Sequence, residues 1–237
     1  MGSKQSIVSR LTAHFYPCRQ PDPLDTAFCA YAKPGMRVLD AGCGAARGCS
    51  RESPWKEMFI VGIDKDPAVY ANPFCNQNLV CGVSNLPFSD ASFDLIHCRW
   101  VIEHLADPLS AFREFTRVLK PGGRLLALTP NIFHYATISA WLTPQCFHRW
   151  WRCGEGEPFP TYYRANSVYK LRRLCAEAGL HIQNMELFEG PPHYLVRHWP
   201  LFLCGVLYER VVNSTPLLKL IRQRILLNAI TPPLTKS

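Results

Sequence analysis

Residues 38–44 read VLDAGCG, a short apolar run that passes directly into a turn with two glycines. Such a run is typical of a buried strand in a parallel sheet, and Gly42 and Gly44 permit backbone conformations that other residues resist. A second apolar run, FIVGID, ends in Asp64, 24 residues after Asp40. A carboxylate at the end of a second strand suits hydrogen bonding to ribose hydroxyls. Together the two runs predict a nucleoside site at the carboxyl edge of a sheet.

Short apolar runs alternate with helical stretches along most of the chain. The helix over 108–119 is the clearest, because its apolar residues form one stripe between an Asp-Pro start and a Lys-Pro-Gly-Gly end. A second helix is expected over 167–178. Alternation of this kind predicts an α/β doubly wound fold, with a mostly parallel sheet flanked by helices. Strands are expected at 36–41, 58–63, 93–98, 124–129 and 181–188.

The pattern divides the chain into four parts. Residues 1–23 are polar and contain three prolines, which favours an arm over a packed element. Residues 24–190 form the main domain, and an aromatic-rich insertion at 132–166 is expected to cap it. Residues 191–237 combine short apolar runs with basic residues and are interpreted as a tail.

Composition excludes several classes of protein. The chain has 237 residues, 48% of them hydrophobic and 19% charged, which does not fit a disordered, collagenous or coiled-coil protein. None of the eleven cysteines is paired in a C-x-x-C spacing, and no secretory leader is recognised, so reduced thiols and a cytoplasmic location are expected. The longest apolar runs are too short to span a bilayer.

Positive charge is concentrated at the end of the chain. Of the net charge of +8, residues 195–237 contribute six basic residues against one acid, Glu209. This favours an anionic partner, either a membrane surface or nucleic acid, although a solvated basic face explains it equally well. The N-terminal MGSKQS also fits the acceptor pattern for myristate on Gly2, a short pattern that arises by chance as well. Peripheral contact with a membrane is therefore one expectation.

A longer series of motifs follows the glycine turn in order. VLDAGCG and VGID are followed by LPFSDASFDLIHC (86–98), EHL (103–105) and LKPGGRLLALTPN (119–131). This series resembles the class I S-adenosylmethionine-dependent methyltransferases, in particular the type 11 branch that includes ubiquinone and menaquinone biosynthesis enzymes. The resemblance implies a Rossmann-like sheet of seven strands, S-adenosylmethionine as cofactor and methyl transfer as the activity. A nicotinamide site is disfavoured because the turn lacks G-x-G-x-x-G.

The resemblance also assigns cofactor contacts. Asp40 would organise the turn and meet the amino end of the cofactor, the backbone from Ala41 through Gly42 and Cys43 to Gly44 would meet the methionine portion, Asp64 the ribose, and Lys65 the adenine. Cys98, which ends the third motif, is included in the same site. Gly82 stands where relatives commonly have an acid that meets the adenine amino group. The adenine is therefore expected near Val83, with Ser84 or Asn85 as its polar contacts.

His104 is the candidate for a catalytic base. It follows the fourth strand near the expected acceptor, where a base helps if the acceptor is a hydroxyl or an acidic carbon; capping or packing of the next helix is the alternative. Some related enzymes bind a metal through Glu-x-x-Glu-His, but the first of these positions is Trp100 here, so no metal is expected. The [DNS]-P-P-[YFW] segment of many nucleic-acid methyltransferases is also missing, which disfavours a nucleic-acid substrate.

Aromatic residues of the insertion are candidates for an acceptor pocket, because tyrosine and tryptophan combine a large apolar face with a polar group. They could equally form the core of the cap. The sequence thus predicts a methyltransferase for a small-molecule or lipid-like acceptor, acting at oxygen or carbon. An RNA or protein methyltransferase, or a non-catalytic module that binds the cofactor, are the alternatives, and the oligomeric state is left open. The substrate-binding candidates are Trp100, His134, Tyr135 and Tyr163.

Overall fold

The computed structural model describes residues 2–18, 21–45, 55–142, 159–196 and 198–233. Within these residues seven strands form one sheet, in the order β3-β2-β1-β4-β5-β7-β6. Strand β7 is antiparallel to both of its neighbours, and all other pairs are parallel. The predicted α/β doubly wound, mostly parallel sheet is therefore confirmed. The strands are β1 (Arg37–Ala41), β2 (Phe59–Asp64), β3 (Gln77–Val80), β4 (Phe93–Arg99), β5 (Leu119–Pro130), β6 (His181–Phe188) and β7 (Arg224–Ile230).

Helices cover both faces of this sheet. The larger apolar cluster includes Phe112 and Phe115 of α3, which pack on one face, and the smaller cluster includes Leu24 and Phe28 of α2, which pack on the other. Both clusters are continued by strand residues that are buried because each face is covered. The helices are α1 (Gly2–Phe15), α2 (Pro23–Tyr31), α3 (Pro108–Val118), α4 (Tyr135–Leu142), α5 (Val168–Ala178) and α6 (Trp199–Ser214).

The ends of α3 and α5 follow from local chemistry. The Asp107 carboxylate accepts a hydrogen bond from the Ser110 amide, and the Ser167 hydroxyl accepts one from the Lys170 amide. Both side chains thereby satisfy backbone N–H groups that have no partner within the first turn of a helix. Helix α5 ends at Gly179, which has a φ of 80°. These helices match the predicted ones within a residue or two.

The interpretation of residues 1–23 as an unpacked arm is wrong for most of the segment. Residues 2–15 form α1, and the Tyr16 hydroxyl that follows it donates to the buried Glu209 carboxylate of α6. The prolines at 17, 21 and 23 interrupt the chain only after this helix. They mark the connection to α2 and do not prevent the preceding residues from packing.

The boundary at residue 190 also needs correction. Residues 224–230, RILLNAI, form β7 between β5 and β6, and five of its seven residues are buried. A continuous apolar run is what a strand needs when both of its faces are covered, and this run was assigned to a tail. The sheet therefore extends to Ile230. In the cap insertion at 132–166, only the parts up to Leu142 and from residue 159 onward lie within the described residues.

Two further features bear on the expected environment. None of the described cysteines is part of a disulfide bond, and only Cys98 and Cys175 among them are buried. Within the described ranges, no helix combines the length and apolar character required to cross a bilayer.

Candidate functional site

A cavity of about 300 Å³ opens at the carboxyl edge of the sheet. Its walls come from the loops that follow β1, β2, β3 and β4, together with residues 159–162 at the end of the cap insertion. Ligands of open α/β sheets bind at this edge. Of the predicted site residues, Gly42, Asp64, Lys65, Trp100 and His104 line the cavity.

The glycine turn after β1 forms one end of the cavity. Gly42 has a φ of 74°, and a Cβ atom built on it would lie 2.1 Å from a methyl carbon of Val101. Its amide donates to the carbonyl of Ile63 at 2.8 Å, which fixes the turn against β2. A side chain at this position would thus be excluded both by backbone strain and by lack of space. The glycine keeps the backbone of the turn open to a ligand.

Asp64 joins the turn to the end of β2. One carboxylate oxygen accepts the Gly44 amide at 2.9 Å and the other accepts the Asp66 amide at 2.9 Å. Each carboxylate oxygen has a second lone pair, so Asp64 retains capacity for two further donors. Two adjacent hydroxyls of a ribose are donors of this kind, and the side chain lines the cavity.

The adenine end of the cavity is less polar than expected. Lys65 lies over Gly82, where a Cβ atom would be 3.1 Å from its Cε, and Val83 contributes an apolar wall. Ser84 and Asn85 are exposed and lie outside the lining. Gly82 thus leaves room for the lysine side chain, and the assigned polar contacts of Ser84 and Asn85 stay predictions.

Asp40 and Cys98 lie behind the cavity. Asp40 is 2% exposed, and its carboxylate accepts a hydrogen bond from Nδ1 of the equally buried His97 at 2.8 Å. Cys98 is buried in the apolar core, which raises the pKa of its thiol. Neither side chain is part of the lining. Asp40 therefore supports the strand that carries the turn, and its direct contact with the cofactor stays a prediction. Sequence reasoning missed His97, although parallel pairing places it beside Asp40 in the register of β1 and β4.

Cys43 of the turn faces a second thiol. The potential ligand atoms of Asp40, Cys43 and Cys75 lie within 4.8 Å of one another. Hydrogen bonding with Cys75 and burial raise the pKa of the Cys43 thiol. A thiol with a raised pKa is a poor nucleophile, so we assign the pair to packing around Gly62, where a Cβ atom would collide with both sulfurs.

His104 and Trp100 line the part of the cavity that is formed by the loop after β4, and Val101 of the same loop packs against Gly42. The Nδ1 of His104 donates to the carbonyl oxygen of Pro160 at 3.0 Å, which leaves Nε2 as the nitrogen with a free lone pair. Trp100 has a φ of 55°, a conformation that is uncommon for a bulky residue and is often found at functional sites. Its indole is part of the cavity wall and is 38% exposed.

Residues 159–162, at the end of the cap insertion, line the same part of the cavity. We call them the return segment. The amides of Tyr162 and Tyr163 both donate to the carbonyl of Glu103. Tyr163 has a φ of 50°, and Tyr162, not Tyr163, lines the cavity. The sequence gives no signal that distinguishes these adjacent tyrosines, because the choice depends on the backbone turn. Phe159 and Tyr162 are therefore lining residues that sequence reasoning missed.

A buried polar network fixes the return segment. The Thr129 hydroxyl donates to the Glu103 carboxylate at 3.2 Å and accepts from the Asn166 amide at 2.6 Å. All three side chains are buried. The Glu103 carboxylate therefore points to the end of β5 and does not join His104 in the cavity.

The substrate-binding candidates His134 and Tyr135 lie elsewhere. His134 is fully buried, with Nε2 3.4 Å from a carboxylate oxygen of Glu189. Its ring and that of Tyr135 contact Tyr208 of α6, with ring centroids 5.8 and 4.8 Å apart. These side chains join α4 to α6 and do not reach the cavity, which supports the core role that the sequence left open.

A larger cleft of about 890 Å³ lies between the α1–α2 connection, β6, β7 and α6. Its walls include Glu209, Arg210 and Arg224. It contains neither the glycine turn nor Asp64. Size alone would favour this cleft, but the smaller cavity holds the groups that suit a nucleoside and is therefore the candidate cofactor site.

Known proteins match the same part of the chain that contains the cavity residues from the loops after β1 to β4. A family model described as a methyltransferase domain matches residues 39–127. The chain is 38% identical over 109 residues to an uncharacterized methyltransferase, YcgJ, of Bacillus subtilis, which covers 42% of this chain and 41% of that protein. It is 33% identical over 159 residues to a ubiquinone biosynthesis O-methyltransferase of Hahella chejuensis, covering 58% and 66%. A solved S-adenosylmethionine-dependent methyltransferase from Mesorhizobium loti superposes with a TM-score of 0.58 at 17% identity, covering 87% of this chain and 99% of that one.

The sequence matches are partial, and the structural match extends further. The chain spans less than two thirds of the length of the two curated relatives, whereas the solved structure shares the fold over most of both chains. The matched segment contains the glycine turn, Asp64 and most of β5. The ordered motifs and the matched domain thus identify residues 39–127 as a methyltransferase domain of the class I S-adenosylmethionine-dependent family, and the solved structure shares its fold.

Proposed function

We propose that the protein transfers the methyl group of S-adenosylmethionine to an oxygen or carbon atom of a small-molecule or lipid-like acceptor. The observation that carries this proposal is that Gly42 and Asp64, from the loops after β1 and β2, line the same cavity as His104, from the loop after β4. S-adenosylmethionine supplies a methyl group on a sulfonium centre, which an acceptor takes by in-line displacement. Such a displacement depends mainly on alignment of the methyl donor with the acceptor and on exclusion of water, so catalysis depends mainly on the residues that form the cavity wall.

The chain's own residues suit these tasks. The open backbone at Gly42 and the remaining lone pairs of Asp64 would hold the nucleoside and its methionine arm. Trp100, Phe159 and Tyr162 present aromatic surface in the part of the cavity wall that also contains His104, which supports an acceptor with an apolar or planar body. Its reacting atom would then lie near His104.

His104 would act as the general base. Because Nδ1 donates to the Pro160 carbonyl, Nε2 is held as the acceptor nitrogen that such a role requires. The same hydrogen bond also allows a second role, in which His104 only anchors the return segment. Substitution by asparagine separates the two, since the asparagine amide can still donate to Pro160 but has no basic nitrogen.

The cofactor site is tested by titration calorimetry with S-adenosylmethionine and S-adenosylhomocysteine. We expect Asp64→Ala to weaken binding about 10- to 100-fold, the equivalent of the ~1.5–3 kcal/mol of hydrogen bonds to a charged group. Asp66→Ala removes a neighbouring carboxylate that accepts only from the Ala68 amide, and it should bind normally. Equal affinities of wild type and Asp64→Ala would contradict the site.

The base is tested with His104→Asn and His104→Ala. We expect both to lower kcat by about 10²- to 10⁴-fold while cofactor affinity is unchanged. Near-normal turnover of His104→Asn with a defective His104→Ala would show an anchoring role only.

The acceptor is found by incubating the protein with tritiated S-adenosylmethionine and fractionated cell extract. Label in a lipid or small-molecule fraction supports the proposal. Label in RNA or protein would replace the acceptor class, and cofactor binding without any labelled fraction would indicate a non-catalytic module. We further propose that the protein acts at an anionic membrane surface, which the basic residues of 191–237 support. Strand β7 lies within the sheet and is therefore not part of the segment that could contact the membrane.

A further inference from the structure

The outer face of α6 is apolar. Leu201, Cys204, Leu207 and Val211 follow one another at spacings of three or four residues, so they lie on one side of the helix, and all four are exposed. The opposite side carries Phe202, Val206 and Val212, which are buried against the domain. The helix is therefore apolar on both sides, although only one side is covered.

The exposed surface continues into the next turn of the chain. Residues Pro216–Ile221 form a short 3₁₀ turn in which Leu217 is 90% exposed and Leu220 62% exposed. Trp199, the first residue of α6, is also partly exposed. We call the exposed side chains of α6 and this turn the apolar stripe: Trp199, Leu201, Cys204, Leu207, Val211, Leu217 and Leu220. Exposed apolar residues grouped in this way mark a site of interaction.

The net charge around the apolar stripe is positive. Residues 198–221 contain a single acid, Glu209, which is 7% exposed because its carboxylate accepts from the Tyr16 hydroxyl and the Asn213 amide. Arg210 and Lys219 of the same segment are exposed, and Nε of Arg210 lies 3.4 Å from a carboxylate oxygen of Glu209. Arg210 thus offsets the charge of Glu209, and Lys219 leaves the segment with a net positive charge, which complements an anionic surface.

We propose that α6 and the following turn dock on an anionic lipid surface, with the apolar stripe in the interfacial layer. Short apolar segments flanked by basic residues lie in a membrane interface without crossing it, and an exposed tryptophan at a helix end suits that layer. A second copy of the chain would cover the leucines equally well, but it would bring a second segment of the same net positive charge to the contact. Charge thus favours lipid over self-association.

Docking would place the enzyme beside its acceptor. Tyr208, which lies one turn after Cys204 at the edge of the apolar stripe, contacts Tyr135 of α4, where the cap insertion begins. The docked helix is therefore joined directly to the start of the cap insertion, whose end at residues 159–162 lines the cavity. This step rests on the proposed function, whereas docking itself is independent of methyl transfer and can be measured without cofactor.

The test is flotation with vesicles of phosphatidylcholine alone or mixed with an equal amount of phosphatidylglycerol. We expect the wild type to float with the mixed vesicles, to float far less with neutral ones, and to be released by high salt. Leu217→Asp/Leu220→Asp should reduce the bound fraction at least tenfold, and Lys219→Glu about fivefold. The matched control is Tyr70→Asp/Tyr169→Asp, which places the same charges at exposed aromatic positions outside the stripe and should float like the wild type.

Thermal unfolding and cofactor titration are run on every variant, and both should match the wild type. A wild type that stays with the soluble fraction overturns the proposal, and so does equal loss of flotation in the control. Sedimentation that shows a dimer dissolved by Leu217→Asp/Leu220→Asp, without vesicle binding, assigns the stripe to a second copy. Loss of methyl transfer with normal flotation would contradict the proposed function and leave docking supported.

Discussion

The two ends of the cavity are held in place by different means. The cofactor end is lined by the loops after β1 and β2, and the acceptor end is lined by the loop after β4 and by residues 159–162. At the cofactor end, contacts are made by backbone groups of neighbouring loops: the Asp64 carboxylate joins the amides of Gly44 and Asp66, 20 and 2 residues away. At the acceptor end, buried side chains bridge long separations. The Asn166 amide reaches Thr129 across 37 residues of sequence.

The difference predicts how each end fails. A tight backbone turn is sensitive to any added atom, because neither the turn nor the wall beside it can move far. A side-chain network is sensitive to removal of one polar group, because the partners that remain are buried and unsatisfied. Substitutions that add atoms should therefore act on cofactor binding, and substitutions that remove polar groups should act on the cap.

Gly42→Ala should have the largest effect. It combines left-handed backbone with a clash against Val101, and we expect a loss of about 2–5 kcal/mol of stability together with loss of cofactor binding. Gly35→Ala is the matched control, since Gly35 has a φ of 79° but nothing within 4 Å of a Cβ atom, so it should cost only about 1–2 kcal/mol. Urea unfolding and titration calorimetry measure both. Equal costs for the two glycines would show that space at the turn is unimportant.

Asn131→Ala tests a buried side-chain bridge of the same kind, just after β5, and should rank second. Its side-chain amide donates to the carbonyls of Leu220 and Arg222, both at 2.8 Å, and so fixes the chain that enters β7. Loss of the donor leaves two carbonyls without it and should cost about 1–3 kcal/mol in urea unfolding. Cofactor affinity should be unchanged in the folded variant. Asn184→Ala, at an exposed amide that donates to the Glu186 carboxylate, is the control and should cost less than Asn131→Ala.

The same contrast explains what the sequence could and could not show. The glycine turn and Asp64 are local signals, because their chemistry depends on a few adjacent residues and on the end of a neighbouring strand. The strand β7 was missed because its place between β5 and β6 depends on pairing across about 100 residues, and its apolar run also suits a surface segment. His134 was misplaced for a related reason: a histidine in an aromatic segment suits a pocket as well as a core, and only its contact with Glu189 decides.

Thr129→Val is expected to have a smaller effect that is confined to the acceptor end. The change keeps the shape of the side chain but removes the hydroxyl that donates to Glu103 and accepts from Asn166. We expect a cost of about 1–2 kcal/mol and a rise in the KM for the acceptor, with cofactor affinity unchanged. Thr129→Ser keeps the hydroxyl and should retain the wild-type KM. A parallel rise in cofactor Kd for Thr129→Val would show that the two ends are coupled.

Ser167→Ala should have the smallest effect of the four, and it separates the return segment from the helix that follows it. The Ser167 hydroxyl caps α5 by accepting from the Lys170 amide at 3.3 Å, a long hydrogen bond at an amide that is partly open to water. Loss of an N-cap of this kind costs about 0.5–1 kcal/mol, and Ser89→Ala, at an exposed hydroxyl in a loop, controls for the substitution. Because Asn166 still holds Thr129, the KM for the acceptor should stay constant although the unfolding midpoint falls. A rise in KM would mean that α5 positions the cavity wall, and the boundary between the cap and the sheet would then lie beyond residue 166.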